Sequence, residues 1–198
     1  MENSALIIVD VQNDFCKGGK LSVPDANSII PNINFLQKKF KTIILTQDWH
    51  PKNHKSFASQ HSKKAFSQIK TFYGNQTLWP DHCIQNTNGS NFHEDLKTEK
   101  ASLIIRKGFR ENIDSYSAFF ENDKKTITGL NGFLKDISIK KIYLCGLAFD
   151  FCVYYTALDA KKLGFEVNIF YNCCKSINDN NSEDKVKNTL NELDIKML

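Results

Sequence analysis

Apolar residues in this chain gather in short unbroken runs rather than in alternation, at 5–9, 42–45, 102–105, 141–145 and 166–170. Runs of this kind suit strands buried on both faces, as in a parallel sheet covered by helices. Stripes at helical spacing lie between several of them. Ile29, Ile33 and Leu36 form one, with Pro31 tolerable only in a first turn. Ile127, Leu130, Phe133 and Leu134 form another. Residues 152–163 read as a helix with Val153, Thr156, Ala157 and Ala160 on one side, ended by Gly164. Val186, Leu190 and Leu193 make a last stripe, and 195–198 a short terminal strand. Strand alternating with helix predicts an α/β sheet with right-handed crossovers.

One interval breaks the rhythm. Between Thr46 and Ser102 the pattern predicts no strong strand and no long amphipathic helix, and all five histidines fall there. A stretch that long inside a compact domain is usually functional.

Composition narrows the class without choosing a function. With 41% hydrophobic and 24% charged residues the 198-residue chain is globular rather than disordered. No apolar run approaches the roughly 20 residues that span a bilayer. The first run is too short for a signal-peptide core and follows Glu2, so a cytoplasmic location and no membrane partner are expected. The net charge of +4 invites a nucleic-acid reading, but only Arg106 and Arg110 among the 26 basic residues are arginine. Phosphate and base forks favour arginine, so no nucleic-acid partner is expected and the lysines read as solvated surface. Six cysteines show no disulfide rhythm and are expected to be reduced.

Ligands of α/β folds sit at the carboxyl ends of parallel strands. Those ends offer Asp10, Asp48, Lys107-Gly108 and Cys145-Gly146. After the last of them a glycine turn leads to Cys152 at the start of a helix, resembling a nucleophile elbow. The helix dipole there favours thiolate; from the turn alone, a packed apolar thiol accounts for Cys152 equally well. A second group is Asp48-Trp49-His50 with His54, followed by Trp79-Pro80-Asp81-His82-Cys83. One carboxylate and three imidazoles suit a divalent ion such as zinc, manganese or iron. The D-x-H spacing lets Asp48 and His50 point the same way. His61 and His93 read as surface residues.

Together these blocks resemble the nicotinamidase branch of the isochorismatase-like cysteine hydrolases. They are Val9-Asp10-Val11-Gln12-Asn13-Asp14-Phe15, Asp48-Trp49-His50-Pro51-x-x-His54-x-Ser56-Phe57, Trp79-Pro80-x-His82-Cys83, Lys107-Gly108 and Gly146-Leu147-Ala148-x-Asp150-x-Cys152-Val153. The resemblance implies a three-layer sandwich with a central, mostly parallel sheet of about six strands. It implies a single domain over 1–198, with a metal- and substrate-binding insertion at about 47–101. Asp10, Lys107 and Cys152 match the catalytic triad, and the backbone of Ala148 and Cys152 the oxyanion hole. Asp48, His50 and His82 match metal ligands, with His54 where the family often has a further histidine, which either ligates or supports a ligand. The implied cofactor is one divalent ion, zinc first, with manganese, iron or magnesium as alternatives. Phe15, Leu21, Trp79, Tyr116 and Leu147 match positions around the substrate, and the 147–148 bond matches a cis peptide. The implied reaction is hydrolysis of nicotinamide to nicotinate and ammonia through a thioester, in NAD salvage, with a homo-oligomer left open. Lys107 is expected to hold Asp10 and a thiolate in their charged forms. One departure is Phe149, where the family often has Thr or Ser, a ring that could alter a pocket wall or a subunit contact. Rival readings are a related hydrolase acting on a carbamoyl or ureido amide, and a non-catalytic metal-binding scaffold.

Overall fold

The computed structural model describes residues 3–177 and 182–198. Its centre is a six-stranded sheet in the order β5-β2-β1-β6-β7-β8, with every pairing parallel. The strands are β1 (Ser4–Val9), β2 (Thr42–Asp48), β5 (Leu103–Lys107), β6 (Lys141–Leu147), β7 (Glu166–Lys175) and β8 (Lys196–Met197). Helices α1 (Ile30–Leu36), α2 (Leu130–Asp136), α3 (Tyr154–Lys162) and α4 (Ser182–Glu192) flank the sheet. Every residue of β1 is buried, as a central strand covered on both faces must be. No helix among the described residues is long and apolar enough to cross a membrane.

The strand order carries a consequence for ligands. From β1 the chain steps outward to β2 and β5; from β6 it steps the other way to β7 and β8. The order therefore reverses between β1 and β6, and a crevice opens there at the strands' carboxyl ends. Val9 at the end of β1 lies opposite Gly146 near the end of β6. A Cβ on Gly146 would come within 2.1 Å of the Val9 carbonyl, and its φ of +116° suits glycine alone. That contact brings the residues that follow the two strands together.

The hydrophobic pattern located all six strands of this sheet, but most run further at their carboxyl ends than the apolar runs. β2 continues through Thr46, Gln47 and Asp48, and β5 through Arg106 and Lys107, because pairing continues where side chains turn polar for function. The pattern missed an antiparallel hairpin, β3 (Gln68–Thr71) and β4 (Gly74–Thr77), in the irregular interval. Its residues are largely polar and half-exposed, so no apolar run marks it. Two expected stripe positions do not pack as predicted. Ile127 lies ahead of α2 and is exposed, and Leu193 falls past the end of α4. The helix expected over 152–163 starts at Tyr154, preceded by a π-helical turn, Phe149–Val153, that contains Cys152.

Candidate active site

The site starts from a buried lysine. Lys107, the last residue of β5, is 0% exposed. Its Nζ lies 2.8 Å from Asp10 Oδ2, 2.5 Å from Asp48 Oδ1, 2.9 Å from the Ser115 carbonyl and 3.4 Å from Cys152 Sγ. A buried ammonium is tolerable only with such partners. Burial works against its charge, but the two carboxylates overcome this and hold its pKa well above the ordinary lysine value. Asp10, Asp48 and Cys152, from separate parts of the chain, thus meet at one cation.

Asp10 begins where β1 ends. Its left-handed φ of +47° turns the chain out of the sheet. Thr46 Oγ1 donates to Asp10 Oδ1 at 2.6 Å. Oδ2 faces the Lys107 ammonium at 2.8 Å, a charge-assisted contact. The same carboxylate reaches the Cys152 thiol. Burial raises the Asp10 pKa against the pull of Lys107.

Burial also drives the Cys152 thiol well above its ordinary pKa, and Lys107 only partly offsets it. The six cysteines are all free and buried.

Asp48 points its other oxygen, Oδ2, at two imidazoles, with His50 Nε2 at 3.5 Å and His82 Nε2 at 3.6 Å. Burial would raise the Asp48 pKa, but Lys107 and His50 take it well below the usual carboxylate range. His50 Nδ1 lies 2.8 Å from the Gly108 carbonyl and His82 Nδ1 lies 2.8 Å from the Pro80 carbonyl. A carbonyl only accepts, so Nδ1 of each ring carries the proton and Nε2 offers a lone pair. Two ligands held about 2.05 Å from a tetrahedral zinc stand roughly 3.3 Å apart. Asp48 Oδ2 stands close to that spacing from each imidazole nitrogen, and the three donor atoms lie within 4.8 Å of one another, which fits a metal ion. Gly108 makes room for this: a Cβ there would lie 2.5 Å from His50 Cε1.

His54 offers no such lone pair. Its Nε2 faces the Ile113 carbonyl at 3.2 Å and its Nδ1 faces the Ser56 hydroxyl at 2.7 Å. Burial and the neighbouring His50 bring its pKa down to about 4. The ring packs behind His50, 4.3 Å between centroids; of the two roles the sequence left open for it, ligand or support, these bonds suit support.

A pocket opens beside this centre. Asp48, His82, Ala148 and Cys152 form its reactive side. Phe15, Leu21, Trp79 and Tyr116 form walls, as expected, joined by Asp114, Phe151 and Ile177, which sequence reading did not single out. Leu147 does not line it; its side chain is buried in the core and its neighbour Ala148, across the cis bond, reaches the pocket. Phe149 is likewise buried, edge-on to Tyr171 at 5.1 Å, away from the pocket. The Tyr116 hydroxyl accepts from Trp79 Nε1 at 3.2 Å and from Gln76 Nε2 at 3.0 Å. Gln76 also donates to Asp114 Oδ2 at 2.7 Å, which ties hairpin β3–β4 to the pocket wall. Asp114 could have been suspected from the polar Asp-Ser-Tyr sequence before Tyr116; Gln76, in a polar hairpin, left no signal. His61 and His93 are half-buried and bonded through Nε2 to Lys55 and Asn27, remote from the pocket.

Comparison with known proteins gives consistent results. The isochorismatase domain model matches residues 4–193. The nicotinamidase of Acinetobacter baylyi is 53% identical over 181 residues, 91% of this chain and 85% of that protein. A solved nicotinamidase/pyrazinamidase of Acinetobacter baumannii superposes with a TM-score of 0.98 at 50% identity, covering 100% of this chain and 96% of that one. The Pyrococcus horikoshii pyrazinamidase, solved in complex with zinc, gives 0.82 at 37% identity, covering 99% and 98%.

Proposed function

The chain belongs to the isochorismatase domain family, and from that premise we infer that it is an amidohydrolase converting nicotinamide to nicotinate and ammonia. One observation carries the choice of substrate. A thiol, Cys152, and two residues of the ion-binding trio, Asp48 and His82, open onto a single pocket walled by Phe15, Trp79, Tyr116 and Phe151. Such a slot suits a flat heteroaromatic amide. The reading treats 1–198 as one catalytic unit, with 47–101 as its metal- and substrate-binding insertion. A divalent ion held by Asp48, His50 and His82, with zinc the best match to this donor set, supplies a Lewis acid for the ring nitrogen and so fixes which way the amide points.

The chain's own residues account for the rest. Cys152 Sγ attacks the amide carbon while Asp10 takes the thiol proton. The raised Asp10 pKa suits a carboxylate that must hold a proton for part of the cycle. Lys107 stays charged throughout and balances Asp10 and Asp48. The backbone N–H groups of Ala148 and Cys152 receive the tetrahedral oxyanion, and losing such a donor typically costs about 3 kcal/mol. The C–N bond then breaks, Asp10 returns the proton to nitrogen, and ammonia departs from a thioester. Water adds to that thioester with Asp10 taking one of its protons. The C–S bond breaks, sulfur recovers the proton from Asp10, and the acid leaves as nicotinate once its own proton passes to solvent.

Ammonia release from nicotinamide tests the reading. Wild type should turn nicotinamide over faster than a ureido or aliphatic carbamoyl amide, and Cys152→Ala should lose about a thousandfold or more. Unchanged turnover in Cys152→Ala would remove the nucleophile assignment, and a preference for the ureido substrate would move the enzyme to another branch of the family.

A further inference from the structure

Strand β2 outruns its neighbour. Along the seam with β1, pairing ends at Ile8 opposite Leu45, whereas on the other side β2 pairs with β5 as far as Asp48 opposite Lys107. Past Val9 the first strand turns away at Asp10. The main-chain N–H and C=O of Asp48 therefore face the β1 side with no strand beside them. Buried backbone groups must find partners.

Gln12 provides both. It is 0% exposed. Its Oε1 accepts the Asp48 N–H at 2.8 Å, and its Nε2 donates to the Asp48 carbonyl at 2.8 Å. One side-chain amide thus makes the two bonds that a residue of β1 would have made. The second Nε2 hydrogen goes to the Ser90 carbonyl at 2.9 Å, which anchors the amide to the loop ahead of β5. The residue held this way is the one whose carboxylate meets Lys107 on one oxygen and the two imidazoles on the other.

We propose that Gln12 is a positioning residue for the metal centre: it replaces a missing rung of the sheet and thereby fixes the direction of the Asp48 carboxylate. This rests on the reading of Asp48, His50 and His82 as ion ligands. Gln47 provides an internal comparison. It is buried too, donates to the same Ser90 carbonyl at 2.8 Å and accepts from Arg106 Nε at 3.1 Å, but leaves the Asp48 main chain alone.

The test is zinc affinity of the full chain, stripped of metal and titrated in competition with a chromophoric chelator, alongside urea unfolding. Gln12→Met should weaken zinc binding by roughly tenfold to a hundredfold, the usual effect of losing support behind a ligand. Gln47→Met should lose comparable stability yet stay within about twofold of wild-type affinity on the same grounds. If Gln12→Met does not fold, Gln12→Glu keeps the size and the acceptor but sets an oxygen against two carbonyls, and it too should weaken zinc. Wild-type affinity in the Gln12 variants, or an equal loss in Gln47→Met, would overturn the proposal while leaving the metal centre standing. A wild-type chain that takes up no zinc would overturn both.

Discussion

The two sides of the pocket are built on different principles. Asp10, Asp48, Lys107 and Cys152 stand at or just past the ends of β1, β2, β5 and β6, where parallel register sets their positions. His82, Trp79 and Tyr116 come from segments outside the six-stranded sheet and are held by side-chain hydrogen bonds and ring contacts, such as the bond from His82 Nδ1 to Pro80 and those from Trp79 and Gln76 to Tyr116. The strand-end side packs three titratable groups around one buried ammonium, so damage there is electrostatic. The loop side is mostly aromatic, so damage there is geometric. A rigid sheet carries the group that cannot afford movement, and loops carry recognition.

Removing the cation strikes the first side hardest. Lys107→Met would leave two buried carboxylates without their counter-charge, which typically costs about 3–5 kcal/mol. Turnover should fall by about a thousandfold or more. Adding Asp48→Asn to that variant removes one of the stranded charges, so the urea midpoint should partly recover while turnover should not. If stability fell by less than about 1 kcal/mol in Lys107→Met, the ammonium would not be the organising charge of this side.

Next in size is the ion itself, which joins the two sides. Exhaustive chelation should abolish ammonia release, and added zinc should restore it. His82→Ala should reduce zinc affinity by at least about a hundredfold, since it deletes a ligand rather than a support; because the ring is buried against Phe15 and Phe57, it should also cost the metal-free chain about 1–3 kcal/mol in urea unfolding. A His82→Ala chain that binds zinc normally would take the loop side out of the metal centre.

The contrast between the two sides also explains what could be read from the sequence. Strand-end residues announce themselves because an apolar run ends in a charged group, as 5–9 does at Asp10. The carboxylate and imidazoles of the ion group were legible from the D-x-H spacing and the histidines around it, and the family resemblance picked out Asp48, His50 and His82 among them. The role of His54 stayed open, because spacing shows where a ring can lie and not which of its nitrogens are already bonded. The burial of Cys152 was not legible: the local turn is visible in sequence, but burial depends on what long-range packing lays over it. Gln12 stands inside the first motif block with no role attached and Gln76 gave no signal, since their importance lies in groups supplied by residues 36 to 78 positions away.

On the loop side a smaller effect is expected. Gln76→Leu removes the donor shared by Asp114 and Tyr116 and leaves buried acceptors unpaired, at a cost of about 1–3 kcal/mol. Because Tyr116 would be free to tilt, KM should rise several-fold with kcat little changed. A kcat loss at constant KM would mean that the hairpin acts on the chemistry and not on the pocket wall.

The smallest predicted effect returns to the strand ends and concerns a proton. Thr46 Oγ1 donates to Asp10 at 2.6 Å and favours its charged form. Burial already raises the Asp10 pKa, so the acid limb of kcat/KM, which reports loss of the charged base, should lie above the ordinary carboxylate value. Thr46→Val deletes the hydrogen bond and keeps the shape. The charged form then loses support, the pKa rises further, and the acid limb should move to higher pH by about half a unit to one unit, since one unit corresponds to about 1.4 kcal/mol, the scale of one such bond. Activity on the plateau should change little, because the base is still present once ionised. A shift to lower pH, or no shift with a reduced plateau, would mean that a group other than Asp10 takes the thiol proton.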